Sequence, residues 1–421
     1  MEGGTASVGN CSSPQPHAAF AAFTHGFVHK FTYLSRTTPN SEYLLHPLED
    51  IIHSKLIPAW TGRAPPNDIE LFALPAHLGG LGIVNPASSS SREFDASVSI
   101  SAPLSHLIKH QVPEYSGDTI EAQMHATQEV CKQRQEVLKS SGATLKVTLK
   151  DPLKHAMDLA EEKGASTWLT SLPLEDHGFL LHKGAFRDAM ALRYGWLPSN
   201  TPSNCACGNH FTVEHALSCP KGGFPSIRHN EVHDTVGSWL SEVCNAVCIE
   251  PNLQPITGEA LTGASAITED GARLDIAANG FWGGRFERAY FDVRIFNPHA
   301  PSNHQQCLAS TYKKHERAKI RAYEQRIREV EHGSFTPLVM SLSGGCANAA
   351  NITYKRLATM LAKKWEQPYC STLAWMRCKL SFALLRSSIQ CICGARSASG
   401  HTFKQSPLPT NLVVAESNIS L

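Results

Sequence analysis

"RLDIAANGFWGGRFERAYFDVRIFNP", residues 273–298, sets two β-rich runs on either side of a Gly-Gly turn. Apolar, branched and aromatic residues suit a pleated, half-buried surface, and Gly283-Gly284 suits a tight connection, so the stretch predicts a hairpin. Each run carries one carboxylate among apolar neighbours, Asp275 in the first and Asp292 in the second. An ionised carboxylate in such surroundings is costly unless it is paired or holds a cation. Two of them on adjacent strands would make a hard-oxygen site of the kind magnesium takes.

The neighbouring segments extend this reading. "SIRHNEVHDTVGSWLSEVC", residues 226–244, has helical spacing through Ile227, Val232, Val236, Leu240 and Val243, and it offers Glu231 as a third oxygen ligand, with Asp234 a weaker candidate. "TYKKHERAKIRAYEQRIREVEHG", residues 311–333, predicts a charged amphipathic helix ending at Gly333. Tyr312, Glu316, Lys319 and Tyr323 fall at steps of four, three and four on one face of it. Two aromatics on that face turn it inward, which aims Lys319 at the sheet. Arg294 follows Asp292 by two and shares its strand face, but an arginine stays protonated and makes a poor general base. "FTPLVMSLSGG", residues 335–345, reads as one more buried strand, and helices follow over about 347–367 and 371–389. Plainer alternatives stay open. Asp275 can be a strand ion pair with Arg273 or Arg294, "KKHERAKIR" a solvated helix face, and His229-Asn230 a helix cap.

Upstream, "CACGNHFTVEHALSC", residues 205–219, packs three cysteines and two histidines into one short loop. Cys205, Cys207, His215 and Cys219 give two chelating pairs, the number and softness of ligands that a tetrahedral zinc site requires. Gly208 allows the tight turn beside the first pair. His210 competes with His215, whose spacing to Cys219 is the better one. Four closed protein ligands make such a metal structural, not catalytic. Cys391 and Cys393 lack a second pair nearby and read as helix-end cysteines.

The remaining chain of 421 residues, 42% hydrophobic and 18% charged, is long enough for two or three domains. A net charge of +1 gives no global basic field, so a nucleic-acid partner would be held by local patches. The first residues lack a secretory pattern, no apolar run is long enough to span a membrane, and thirteen scattered cysteines suit a reducing, intracellular compartment. Residues 18–60 show helical spacing, with Pro47 near a first turn. "LPAHLGGLGIVNP" (74–86) reads as a tight turn packed on a helix, 87–92 as a loop, about 94–165 as a long helical region, and about 165–200 as short helices.

The order of these features resembles the C-terminal part of non-LTR retrotransposon proteins that carry a restriction-enzyme-like endonuclease. In that family a cysteine/histidine knuckle precedes a PD-(D/E)XK-type nuclease core, with an Arg-His-Asn motif between them, here Arg228, His229 and Asn230. "HPLEDIIHSKLIPAWTGR" and "LFALPAHLGGLGIVNP" resemble the helical segment after the palm of such reverse transcriptases, and "GFLLHKGAFRDAMALRYG" the linker before the knuckle. The resemblance implies a mixed α+β, α/β fold. It would comprise a disordered start (1–17), a thumb-like helical segment (18–92), a helical linker (93–204) and a zinc knuckle (205–223). A restriction-endonuclease-like mixed sheet flanked by helices (224–395) and a flexible tail (396–421) would complete it.

The resemblance also implies nicking of DNA, with magnesium or manganese on Asp275 and Asp292, help from Glu231, and Lys319 positioning or activating water. Zinc would sit in the knuckle. Arg228, His229, Asn230, Arg294, Lys313 and Lys314 would contact DNA, or element RNA, and the location would be nuclear. Two departures stand out: Leu274 replaces the proline that many relatives have before the first aspartate, and Arg294 stands at the usual strand lysine. The chain has no Y/F-x-D-D pair, so reverse transcription is not expected, and it reads as a copy lacking the polymerase palm. The rival expectation is a non-catalytic, zinc-containing nucleic-acid-binding relic.

Overall fold

Helix-spaced apolar residues fill the first half of the chain, and helices form there throughout. The computed structural model describes residues 15–63, 69–112, 117–254, 272–304 and 306–396. It divides into two compact units: Met1–Glu161 with Leu169–Ser199, and Glu162–Trp168 with Asn200 onward.

In the first unit, helices run over Pro16–Ala22, Val28–Thr37, Glu42–Ile51, Pro86–Lys109, Gly117–Thr148, Asp151–Glu161 and Lys183–Arg193. Of the expected disordered start, residues 1–14 lie outside the described residues, whereas Pro16 and His17 are helical and His17 is buried. Pro47 sits inside helix Glu42–Ile51, not in its first turn, and a π-turn follows at Ile52–Leu56. The core is aromatic: Phe20 meets Trp60 edge-on at 5.6 Å and Phe23 lies 5.2 Å from the same ring.

Residues 87–92 are not a loop. They form the start of helix Pro86–Lys109, so a segment boundary at 92/93 falls inside one element. Pro86 occupies the first turn, where its missing N–H costs nothing, and Glu49 Oε2 accepts the Ala87 N–H at 2.9 Å. Ser89 and Ser90 turn their hydroxyls back to the carbonyls of Asn85 and Ala87, at 2.7 and 2.8 Å, which lets both serines be buried. A serine run looks like a loop only until a neighbouring helix caps it.

The Gly79–Gly82 turn does pack on a helix, Asp151–Glu161, because a Cβ on Gly79 would meet Met157 at 2.8 Å. Gly80 has the least room: a Cβ there would stand 1.8 Å from the Leu74 carbonyl oxygen.

The second unit holds a four-stranded mixed sheet, order β1-β2-β3-β4, with β1 Asn245–Ile249, β2 Ile276–Asn279, β3 Arg288–Phe296 and β4 Ser334–Ser341. β1, β2 and β3 pair antiparallel in sequence, and β4 joins β3 in parallel. The hairpin expected from 273–298 is therefore present as β2–β3, and β1 is a strand that the sequence reading did not name. Helix α1 (Phe224–Val243) precedes the sheet, α2 (Leu308–Glu329) crosses from β3 to β4, and α3 (Asn348–Trp365) and α4 (Tyr369–Arg396) complete the unit. Of the expected tail, residues 397–421 lie outside the described residues.

Alternation sorts the strand residues. Ile276, Ala278, Phe291, Val293, Leu338 and Met340 pack with Val232, Val236 and Leu240 of α1 and with the apolar faces of α3 and α4. Ala277 and Tyr290 pack with Ile327 of α2, and Phe296 and Val339 with Tyr312 of α2. Asp292, between Phe291 and Val293, thereby belongs to the α2 side. The segment Glu162–Trp168 contributes to the same unit: Ser341 Oγ donates to Glu162 Oε2 at 3.1 Å, and the Trp168 N–H donates to Ser381 Oγ at 3.2 Å.

We expect Gly80→Ala to cost about 3 kcal/mol or more in chemical denaturation, because a backbone carbonyl blocks the new methyl. Gly82→Ala, at φ +68 with open space around its Cβ position, should cost only about 1 kcal/mol.

Candidate functional site

The β2–β3 register pairs Ile276 with Phe291, so Asp275 and Asp292 are the next residues along the two strands. Asp275 lies just before β2, where its carbonyl accepts the Glu250 N–H at 2.8 Å, and its Oδ2 accepts the Val293 N–H. The same oxygen lies 3.2 Å from His229 Nε2, which is also 3.1 Å from the Val293 carbonyl oxygen. A nitrogen facing two acceptors must carry the proton, so His229 donates. One helical turn on, His233 Nε2 donates to the Asp275 backbone carbonyl at 2.7 Å, its ring stacked 6.0 Å from that of His229. Asp275 is thus held by its carboxylate and by its main chain, from one face of α1.

Asp292 is buried and meets Lys319 Nζ of α2 at 2.7 Å from its Oδ2. The two carboxylates have opposite electrostatic surroundings. For Asp275, burial opposes ionisation, but the hydrogen bond and charge of His229 outweigh it and hold the carboxyl below its usual range. Burial similarly opposes charge on His229, and Asp275 outweighs it, so that imidazole is raised. Asp292 is pushed up to about 6, first by burial and then by the charge of Asp275, with Lys319 pulling the other way.

The other expected site residues separate into two groups. Arg294 is exposed two residues beyond Asp292, and Lys313 and Lys314 are exposed on α2. Asn230 Oδ1 lies 3.4 Å from His229 Nδ1. Glu231 follows His229 by two residues, about 200° round the helix, and its charge acts on Arg386 of α4. It is not brought to the aspartates. Arg228 is buried, not free for a phosphate: its Nη1 donates to the Leu217 carbonyl at 3.1 Å and lies 3.6 Å from Cys391 Sγ. Arg273 pairs with Glu250 at 3.7 Å, and the ion-pair partner of Asp275 is His229 of α1. Glu316, on the inward face of α2, accepts the Ala349 N–H at the start of α3 (3.1 Å). His233 went unread in the sequence, although its four-residue step from His229 puts both on one helix face.

The cysteine/histidine loop also closes. The ligand atoms of Cys205, Cys207, His215 and Cys219 all lie within 4.8 Å of one another, so the cluster could hold a metal ion. Cys205 Sγ and Cys219 Sγ are 3.8 Å apart, matching the roughly 3.8 Å edge of a tetrahedron with 2.3 Å metal–sulfur bonds. Cys207 Sγ lies 3.1 Å from His215 Nε2. Gly208 takes φ +93 in the turn, and Thr212 caps the short helix Val213–Ala216 that carries His215 by accepting its N–H at 3.1 Å. His210 is exposed and bridges Asn204 through its backbone. The Asn209 N–H holds the Cys207 thiol down at about 6, whereas burial pushes Cys219 up to about 11. Thiols this close cannot all ionise without a cation between them.

The loop is tied to the acidic site by two side chains. Asn297, the residue after β3, donates through Nδ2 to the Glu214 carbonyl at 3.2 Å and to Ser218 Oγ at 2.9 Å. Arg228 holds Leu217 from the other side, one residue before His229. Nothing in the sequence singled out Asn297.

No family model matches the chain, and no curated protein matches it. Among the described residues no helix is long and apolar enough to cross a membrane.

Metal analysis of the purified chain should find about one soft divalent ion, lost in Cys219→Ser together with a fall in melting temperature. A second expectation concerns pH in metal-free protein. Because folding raises the Asp292 carboxyl from 3.8 to about 6, the folded state binds the extra proton between those values, and stability is lost as pH rises through them. Asp292→Asn, neutral throughout, should therefore gain on the wild type by on the order of 2 kcal/mol between pH 4 and pH 7 in denaturant titrations. A constant gap would contradict this.

Proposed function

We propose that the second unit is a metal-dependent DNA endonuclease that nicks one strand, of the restriction-enzyme-like kind found in non-LTR retrotransposon proteins. The observation that carries the reading is the juxtaposition of Asp275 and Asp292 on neighbouring strands, with Lys319 reaching Asp292 from α2. A mixed sheet flanked by helices supports it, as does a cysteine/histidine cluster placed before the sheet in sequence and tied to β3 by Asn297.

The donor set fits a hard cation. Both acids offer carboxylate oxygens, and the charge of Asp275 is among the causes that raise Asp292, a repulsion that a divalent ion between them would relieve. Asp275 and Asp292 would hold magnesium or manganese, which supplies a polarised phosphate and a more acidic attacking water. The rest is done by the chain's own groups. His229 and His233 fix where Asp275 stands, so that its carboxylate does not wander when a charged substrate arrives. Lys319 is placed to orient a water or a phosphoryl oxygen beside Asp292 and to balance charge there. Arg294, Lys313 and Lys314, all exposed, supply local positive charge for the DNA backbone in a chain whose net charge is only +1. The Cys205–Cys219 cluster takes zinc as a structural brace. The partner is DNA, element RNA being a second ligand, and the place of action is the nucleus.

Purified chain with magnesium or manganese should convert supercoiled plasmid to the nicked form. Asp275→Asn and Asp292→Asn should abolish nicking, and Lys319→Met should slow it about 100-fold. Equal nicking by wild type and Asp292→Asn would sink the reading. DNA binding without any nicking, with metal still in the cysteine/histidine cluster, would instead support the non-catalytic relic.

A further inference from the structure

The β2–β3 hairpin is nailed down on one side and bare on the other. Phe281 is fully buried, edge-on to Phe291 at 5.2 Å and to Trp282 at 4.8 Å. Arg356 of α3 donates to the Phe281 carbonyl and lies 5.7 Å from both rings. The Gly280 N–H closes the loop on the Glu287 carbonyl at 2.9 Å. Beyond this fixed base, Phe286 is 84% exposed, the most of any large apolar side chain among the described residues. Its only ring partner among them is the exposed guanidinium of Arg285, 6.0 Å from the centroid. Arg288 follows at the start of β3.

A rigid base, one naked aromatic and an adjoining exposed arginine are the parts of a stacking site for nucleobases. Every base has a π-face, and the neighbouring phosphates seek positive charge. Arg288 and Asp292 are four residues apart on one strand, about 13 Å, so the tip and the acids share one hairpin.

We propose that Phe286 is a base-stacking platform for an unpaired or locally opened DNA strand, with Arg285 holding the adjoining phosphate. The inference rests on the nuclease reading, since it is the acids on the same hairpin that make DNA the expected occupant.

The test uses the full chain with calcium, and a single-stranded oligonucleotide carrying 2-aminopurine. Wild type should bind it with a change in base fluorescence. F286A, at an unchanged melting temperature, should bind about 10-fold more weakly at every salt concentration, with the slope of affinity against salt unaltered and the fluorescence change lost. F286W should bind at least as well as wild type. R285A should lower the salt slope by about 0.7. Wild-type affinity in F286A would overturn the proposal while leaving the nuclease reading intact. The same holds if F286A only dissolves a self-associated form of the chain, which would make Phe286 part of a protein interface. A wild type that does not bind the oligonucleotide would overturn the proposal as well, whereas the nuclease reading falls only with the plasmid-nicking test.

Discussion

Two carboxylates at neighbouring register positions repel one another, and the sheet could not carry Asp292 buried and Asp275 half-buried without help from outside it. The help is unequal. Asp275 receives two N–H donors on one oxygen and a histidine on its main chain, so its charge is secured. Asp292 receives one lysine and is left poorly solvated, so its charge is held at a cost. The asymmetry sets the placement of the rest. α1 must lie where His229 and His233 reach the start of β2, and α2 must present Lys319 over the middle of β3. Between them the sheet has little freedom to shift register, because a one-residue slip would carry Asp292 to the apolar side.

The hairpin, both carboxylates and the inward aim of Lys319 were legible in the sequence because they follow from short-range periodicity: alternation in the strands, and steps of three and four along α2. The cysteine/histidine cluster was legible for the same reason, its ligands lying within fifteen residues. What could not be read depends on partners distant in sequence. Glu231 looked like a ligand because it is acidic and on the right helix, but the helix turns it toward Arg386. Arg228 looked like a phosphate contact until Leu217 and Cys391 enclosed it. The serines at 88–91 looked like a loop because the capping Glu49 lies 38 residues from Ala87. β1 is only five residues long, mostly exposed, and follows almost directly on α1, so no alternation marks it off as a strand.

The cysteine/histidine loop and the acidic site are joined by short connections. Asn297 stands five residues after Asp292, and Arg228 one residue before His229. A loop closed on itself by four side chains that could hold a metal ion is thereby attached to both the strand and the helix that hold the acids. This gives the loop a mechanical purpose beside any contact with nucleic acid: it sets the far ends of two elements whose near ends must meet to within a hydrogen bond.

Seven residues, Glu162–Trp168, belong to the second unit although the chain on both sides of them belongs to the first. Glu162 is fastened to Ser341 at the end of β4, and a side chain at Gly345 would collide with it. The two units are therefore not beads that a single cut can part. A fragment beginning at the cysteine/histidine loop would leave Ser341 facing a gap, and a fragment of the first half would carry seven residues with nothing to dock on.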